Sequence, residues 1–218
     1  MLKAAMLTDD EAVAVLSAAH TFGPADEVLA QLAITAGLRL QEIADLDAND
    51  ITVEHETGPL DNQGAEPDHG LARPHDQNSP KYLVRIGFGK APRTIPVAQP
   101  ASRALHTWRA VRPNRTPLLP AASTPDQVTG RWKHLLLKAG VNRTGEEESV
   151  LGAGRHRLLK YLLGLEEQGV LPYGCAGAYL GLPGADLGTL PPRWGDDVIH
   201  AIEDQPRGAS TAVRAEER

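Results

Sequence analysis

The chain has one cysteine, Cys175, so no internal disulfide can form and a disulfide-stapled scaffold is excluded. It lies in Gly174-Cys175-Ala176-Gly177 and reads as small buried filler, not as a nucleophile. Aromatic residues make up only 4% of the 218 positions, so the core must be aliphatic; 41% hydrophobic residues allow that core to be sizeable. No apolar run approaches the roughly 18 residues of a membrane span. No basic flank leads into an apolar run at the N-terminus, as a signal peptide would require. A cytoplasmic protein with no membrane partner is the expectation. His55, His69 and His75 share a polar stretch but lack the spacing of a structural zinc site, so neither metal nor cofactor is expected. No tyrosine follows Tyr179.

The charge is unevenly placed. Residues 1–80 hold 3 Lys/Arg against 15 Asp/Glu, residues 81–160 hold 15 against 4, and residues 161–218 hold 4 against 9. A basic middle in an acidic protein has two readings. It forms a face for a polyanion, or the acidic parts neutralise it within the fold.

Periodicity and punctuation predict a mostly helical α+β chain. Thr8-Asp9-Asp10-Glu11 is a capping-box pattern opening a helix that ends near Phe22-Gly23-Pro24. An Ala/Leu-rich helix follows over 25–36 and closes at Gly37. A short helix over 39–46 and a strand over 50–54 come next. Residues 55–80 are polar and rich in Gly, Pro, Asp and Asn without a period, which predicts a mobile loop. Strands over 81–86 and 93–97 flank a turn and predict a hairpin with basic ends. Helices are expected over 101–111 and 125–139, the second capped by Thr124 with Pro125 at its first position. A strong helix runs over 154–168, followed by short glycine-broken segments, a last helix over 196–203, and a disordered tail over 204–218. Residues 1–203 are read as one domain. Trp108, Trp132 and Trp194 are read as packing residues.

Two stretches carry the chemistry. Thr35-Ala36-Gly37-Leu38-Arg39-Leu40-Gln41-Glu42-Ile43 and Gly154-Arg155-His156-Arg157-Leu158-Leu159 each place an arginine at or near the start of an apolar helix. A guanidinium fork suits bidentate pairing with phosphate oxygens. The ordinary alternative for Arg39 is a solvated side chain or a surface ion pair with Glu42 or Asp45, and for His156 a structural polar residue.

Taken with the hairpin between Val84 and Val97, the helix carrying Trp132-Lys133, and Gly181 downstream, this order resembles the catalytic domain of tyrosine recombinases, the phage integrase and Xer-type family. The resemblance spans residues 8 to about 190. It implies a mostly helical fold with a small antiparallel sheet, and DNA cleavage through a covalent phosphotyrosine. It places Arg39, Arg155 and His156 in one phosphate pocket, with Glu42 orienting the arginines. The chain departs from the pattern at four places. The histidine expected three residues before the second arginine falls at Gly152. The hairpin lysine falls at Phe88, with Lys90 two residues on. The residue after the Leu-Gly pair is Leu182. The nucleophilic tyrosine falls near Pro191, and Tyr173 and Tyr179 are the nearest substitutes. Only seven residues precede Thr8, so the family's N-terminal clamp is not expected either.

The leading expectation is therefore a catalytically inactive, recombinase-like accessory or regulatory factor that binds double-stranded DNA. Lys81, Arg85, Arg93, Arg131, Lys133 and Lys138 are the candidate phosphate contacts. Two alternatives stand beside it. One is an active recombinase with a displaced tyrosine or one supplied in trans. The other is a non-enzymatic protein-interaction module whose basic middle is covered. Self-association through the C-terminal segment is a further expectation.

Overall fold

The computed structural model describes residues 6–54, 81–87, 93–111, 118–119, 124–141, 152–182 and 192–204. The expected 55–80 loop, the hairpin turn with Phe88 and Lys90, and the tail from residue 205 lie outside the described residues.

Helix α1 (Asp9–Phe22) starts as its sequence requires. The Thr8 hydroxyl accepts from the Glu11 amide at 3.2 Å, and the Glu11 carboxylate accepts from the Thr8 amide at 2.7 Å. Helix α2 (Pro24–Ile34) has proline in its first turn, and every side chain from Val28 to Ile34 is buried. Burial on all sides makes α2 the central helix of the fold, which is why its sequence is apolar all round. It packs against α1, α4 and the later helix that carries Arg155.

After the short helix α3 (Leu40–Ala44) and one 3₁₀ turn, β1 (Ile51–Glu54), β2 (Lys81–Ile86) and β3 (Arg93–Val97) form an antiparallel meander in the order β1-β2-β3. Val84 pairs with both Ile51 and Ile95, and Tyr82 with both Val53 and Val97. Val84, Ile86, Ile95 and Val97 lie in the core, as the period of two dictates. The predicted hairpin therefore supplies two strands of a three-stranded sheet, with β2 in the middle.

Helix α4 (Gln99–Val111) and α5 (Pro125–Lys138) follow. Trp108 donates its indole N–H to the Leu118 carbonyl at 2.8 Å, and Trp132 is fully buried. The last described helices are α6 (Ala153–Glu167), α7 (Cys175–Leu180) and α8 (Pro192–Glu203). The stretch read as glycine-broken is in part a true helix, because the Glu166 carboxylate reaches across to accept from the Ala176 amide at 2.6 Å and caps α7. Helix α8 begins four residues earlier than its periodicity indicated, at Pro192, a residue suited to a first helical position.

The result is an α+β fold with one aliphatic core cluster, as composition required. Among the described residues no helix is long and apolar enough to cross a membrane.

Candidate functional site

The turn between α2 and α3 is built to hold one short stretch of backbone still. Gly37 has φ +63, and a Cβ there would lie 2.5 Å from Leu180 Cδ2 and 3.0 Å from Leu158 Cδ2. Glycine is thus demanded twice, by backbone conformation and by the close approach of α6 and α7. Leu38 is buried and its amide donates to the Leu32 carbonyl at 3.0 Å. The chain then turns outward, and Arg39 stands at the N-cap of α3 with its side chain exposed.

Three groups fix this turn. Arg155, in the first turn of α6, is 8% exposed. Its Nη1 donates to the Gly37 carbonyl at 2.7 Å and its Nη2 to the Leu180 carbonyl at 2.5 Å. Glu42 is also buried; its Oε2 accepts from the Arg39 amide at 2.8 Å. Arg93, from the start of β3, closes the network. Its Nη1 and Nη2 donate to Glu42 Oε1 and Oε2 at 2.9 and 3.2 Å, and its Nε donates to the Tyr179 carbonyl at 3.1 Å. A Cβ on Gly181 would meet Arg93 Nη1 at 2.6 Å and Cζ at 2.8 Å.

The electrostatics follow. Burial pushes the Arg155 guanidinium down to about 10; Glu42 opposes this, and the charges of Arg39 and Arg93 add to it. Arg155 therefore feels one carboxylate and two further guanidiniums. Such a cluster favours an additional anion. Of the three, only Arg39 is exposed, and it makes no side-chain hydrogen bond or ion pair among the described residues.

Arg39, Arg155 and Glu42 come together. His156 does not join them through any hydrogen bond among the described residues. Its ring packs over Gly152, with Cε1 3.0 Å from where a Cβ would stand, and its Nδ1 is buried without a partner. The space beside Gly152, where the resemblance expects a histidine, is thus filled by a histidine from one turn later. Lys90 and Pro191 lie outside the described residues. Tyr179 is fully buried, donates its hydroxyl to the Pro96 carbonyl at 3.0 Å, and has its pKa raised by burial; this tyrosine is a packing residue with a spent hydroxyl. Tyr173 is 93% exposed.

The basic middle is partly consumed from within. Arg85 pairs with Asp50 at 3.1 Å, Arg131 with Asp26 at 2.5 Å, Arg157 with Asp9 at 2.7 Å, and Arg93 with Glu42. All four acids come from the first third. Arg93, read as a surface contact of the hairpin, is in fact a core residue; on β3 it shares the inward face with Ile95 and Val97. Arg131 is partly buried and held by Asp26, so its fork is committed. Lys81 and Lys138 are exposed and Lys133 is half-buried. Arg39, Arg103, Lys138 and Lys160 are exposed, and their side chains make no hydrogen bond or ion pair among the described residues.

Sequence reasoning missed the structural role of Arg93, and also the partners Asp9, Asp26 and Asp50. The strand alternation carried a signal for Arg93. The acid–base division of the chain carried one for the others.

Cys175 is buried, and its thiol is pushed up to about 12 by burial first and then by the carboxylates of Glu166 and Asp197. A thiol reagent at mildly alkaline pH is expected to react with it only once the protein is unfolded. Reaction of the folded protein at the rate of a free thiol would contradict this burial. Among the described residues no group of three or more His, Cys, Asp or Glu is placed to hold a metal ion.

No protein-family model, no curated protein and no solved structure matches this chain.

Proposed function

We propose that this chain is a recombinase-like DNA-binding domain that holds a backbone phosphate at Arg39 and does not cut the strand. The observation that carries the reading is the buried Arg155, which feels the charges of Arg93 and of the exposed Arg39 against the single carboxylate of Glu42. An excess of buried positive charge behind an exposed arginine draws a phosphate oxygen more strongly than a lone surface arginine does. Arg103, Lys138 and Lys160 add exposed cations, and Lys81 lies on the outer side of β2. The absence of cutting rests on two points: proline stands near the place where the resemblance puts the nucleophile, and the Tyr179 hydroxyl is bound to a carbonyl in the core. An accessory or regulatory role in DNA transactions is the corresponding activity.

Arg39→Ala is expected to weaken binding to a short random-sequence duplex severalfold, up to about tenfold, at low salt, because one phosphate contact is lost. Fluorescence anisotropy measures this directly. Equal affinities for the variant and the unaltered protein would remove Arg39 from the interface.

One observation favours a second reading, a protein-interaction module on the same fold. Four arginines of the middle third are paired with acids of the first third, which lowers the charge left for DNA. That reading expects no salt-dependent DNA binding.

A further inference from the structure

We infer that Arg155 and Glu42 are positioning residues that act through Arg39, and that Arg39 alone of the three clustered arginines touches the anion. The inference rests on the DNA-binding reading and divides the labour within that site. Motif logic treats two arginines at helix starts as two equal phosphate ligands. The geometry separates them. The two terminal nitrogens of Arg155 are occupied by the Gly37 and Leu180 carbonyls, at 2.7 and 2.5 Å, and the residue is 8% exposed. Each of these nitrogens keeps a second N–H, but the side chain is buried, so to reach a phosphate it would have to turn outward and give up two buried carbonyls, each of which would then lack this partner.

What Arg155 does hold is the backbone two residues before Arg39. On the other side, Glu42 holds the amide of Arg39 itself, at 2.8 Å. Glu42 is in turn clamped by both terminal nitrogens of Arg93, whose Nε is tied to the Tyr179 carbonyl. The α2–α3 turn is thus gripped at Gly37 and at Arg39 by groups from α6, α3 and β3. The side chain of Arg39 leaves from the middle of that grip with no partner of its own among the described residues. A rigid base under an uncommitted, exposed arginine lowers the ordering cost when its fork meets an anion. The bidentate carbonyl bridge also explains why arginine is needed at 155: a lysine ammonium on a flexible stem does not present two coplanar donors.

The experiment is a set of salt titrations of duplex binding for the unaltered protein, Arg39→Gln, Arg155→Gln, Arg155→Lys and the Arg39→Gln/Arg155→Gln double variant. Each phosphate contact contributes about −0.9 to the slope of log affinity against log salt. Positioning predicts that Arg39→Gln lowers the magnitude of the slope by about one. It predicts that both Arg155 variants lose most of the same contact, including Arg155→Lys, which keeps its charge. The double variant should look like Arg39→Gln alone. A double variant that loses about two contacts, an Arg155→Lys protein indistinguishable from the unaltered one, or Arg155 variants with an unchanged slope each overturn the inference.

A second readout does not depend on DNA. Amide hydrogen exchange at Arg39, referred to the amides of α5, is expected to quicken about tenfold or more in Arg155→Gln and in Glu42→Gln, since either change loosens the turn. Unchanged protection at Arg39 in folded variants overturns the positioning role even if the unaltered protein binds no DNA. Loss of protection without DNA binding by the unaltered protein upholds the positioning and refutes the DNA reading.

Discussion

Glu42→Ala is expected to destabilise the fold by about 3–5 kcal/mol, among the largest effects of any single substitution in this chain. The carboxylate is buried, and so is the Arg93 guanidinium that it meets through both oxygens. A buried ion pair is not in itself a strong source of stability, because both ions are desolvated. Removing one partner is different, since the other is left charged and unpaired in the core. Here the loss is compounded. The Arg39 amide loses its acceptor, and Arg155, already depressed to about 10 by burial and by its two neighbouring cations, loses the carboxylate that favours its protonated form. Urea unfolding followed by circular dichroism measures the change. A loss below about 1 kcal/mol would place the pair among ordinary surface ion pairs and contradict its burial.

Gly181→Ala is expected to cost about 2–4 kcal/mol. Part of this is conformational, for Gly181 closes α7 at φ +64, where a side chain adds about 1 kcal/mol of strain. The rest comes from collision. The new Cβ would stand 2.6 Å from Arg93 Nη1 and 2.8 Å from its Cζ. That guanidinium cannot retreat without releasing Glu42 or the Tyr179 carbonyl. Gly140→Ala separates the two parts, because Gly140 has φ +75 and nothing within 4 Å of an added Cβ. Its cost is expected to be the strain alone, about 1 kcal/mol. Equal losses at positions 140 and 181 would show that the Arg93 contact carries no energy.

Both predictions converge on Arg93, the residue least legible from sequence. Its neighbours in Arg93-Thr94-Ile95-Pro96-Val97 told of a strand, and the alternation put Arg93 on the same face as Ile95 and Val97. A charged residue at the end of a hairpin strand is ordinarily solvated, and that expectation displaced what the register implied. Glu42 lies 51 residues earlier in the chain, and no local pattern joins the two. The same distance effect hid Asp26 from Arg131, 105 residues apart. What was local was legible. The Thr8 capping box, the Thr124 cap, the Gly37 turn, the three strands and the apolar faces of α5 and α6 follow from spacing and residue type. The division of the charge into blocks was also visible. Its outcome is mixed: four acids of the first third neutralise four arginines of the middle, while Arg103, Lys138 and Lys160 remain exposed with no partner among the described residues.

The pairing of Arg39 with Arg155 illustrates the limit of motif reasoning. The two stretches do meet, at the contact of Arg155 with the Gly37 carbonyl. In the inferred division they are support and supported group, since Arg155 is buried with its fork on the carbonyls of Gly37 and Leu180. Which donors a guanidinium spends on its own backbone depends on chain crossings, here α6 over the α2–α3 turn, that neither stretch encodes alone.

The central claim is that the cation cluster behind Arg39 serves a nucleic-acid phosphate. The most direct test is fluorescence anisotropy of the full chain with random duplex DNA across a salt series. The account predicts binding at low salt and an affinity that falls linearly with salt on logarithmic axes, with a slope of about −0.9 for each phosphate held. Absent binding at low salt, or an affinity indifferent to salt, would contradict it and assign the fold to a protein partner.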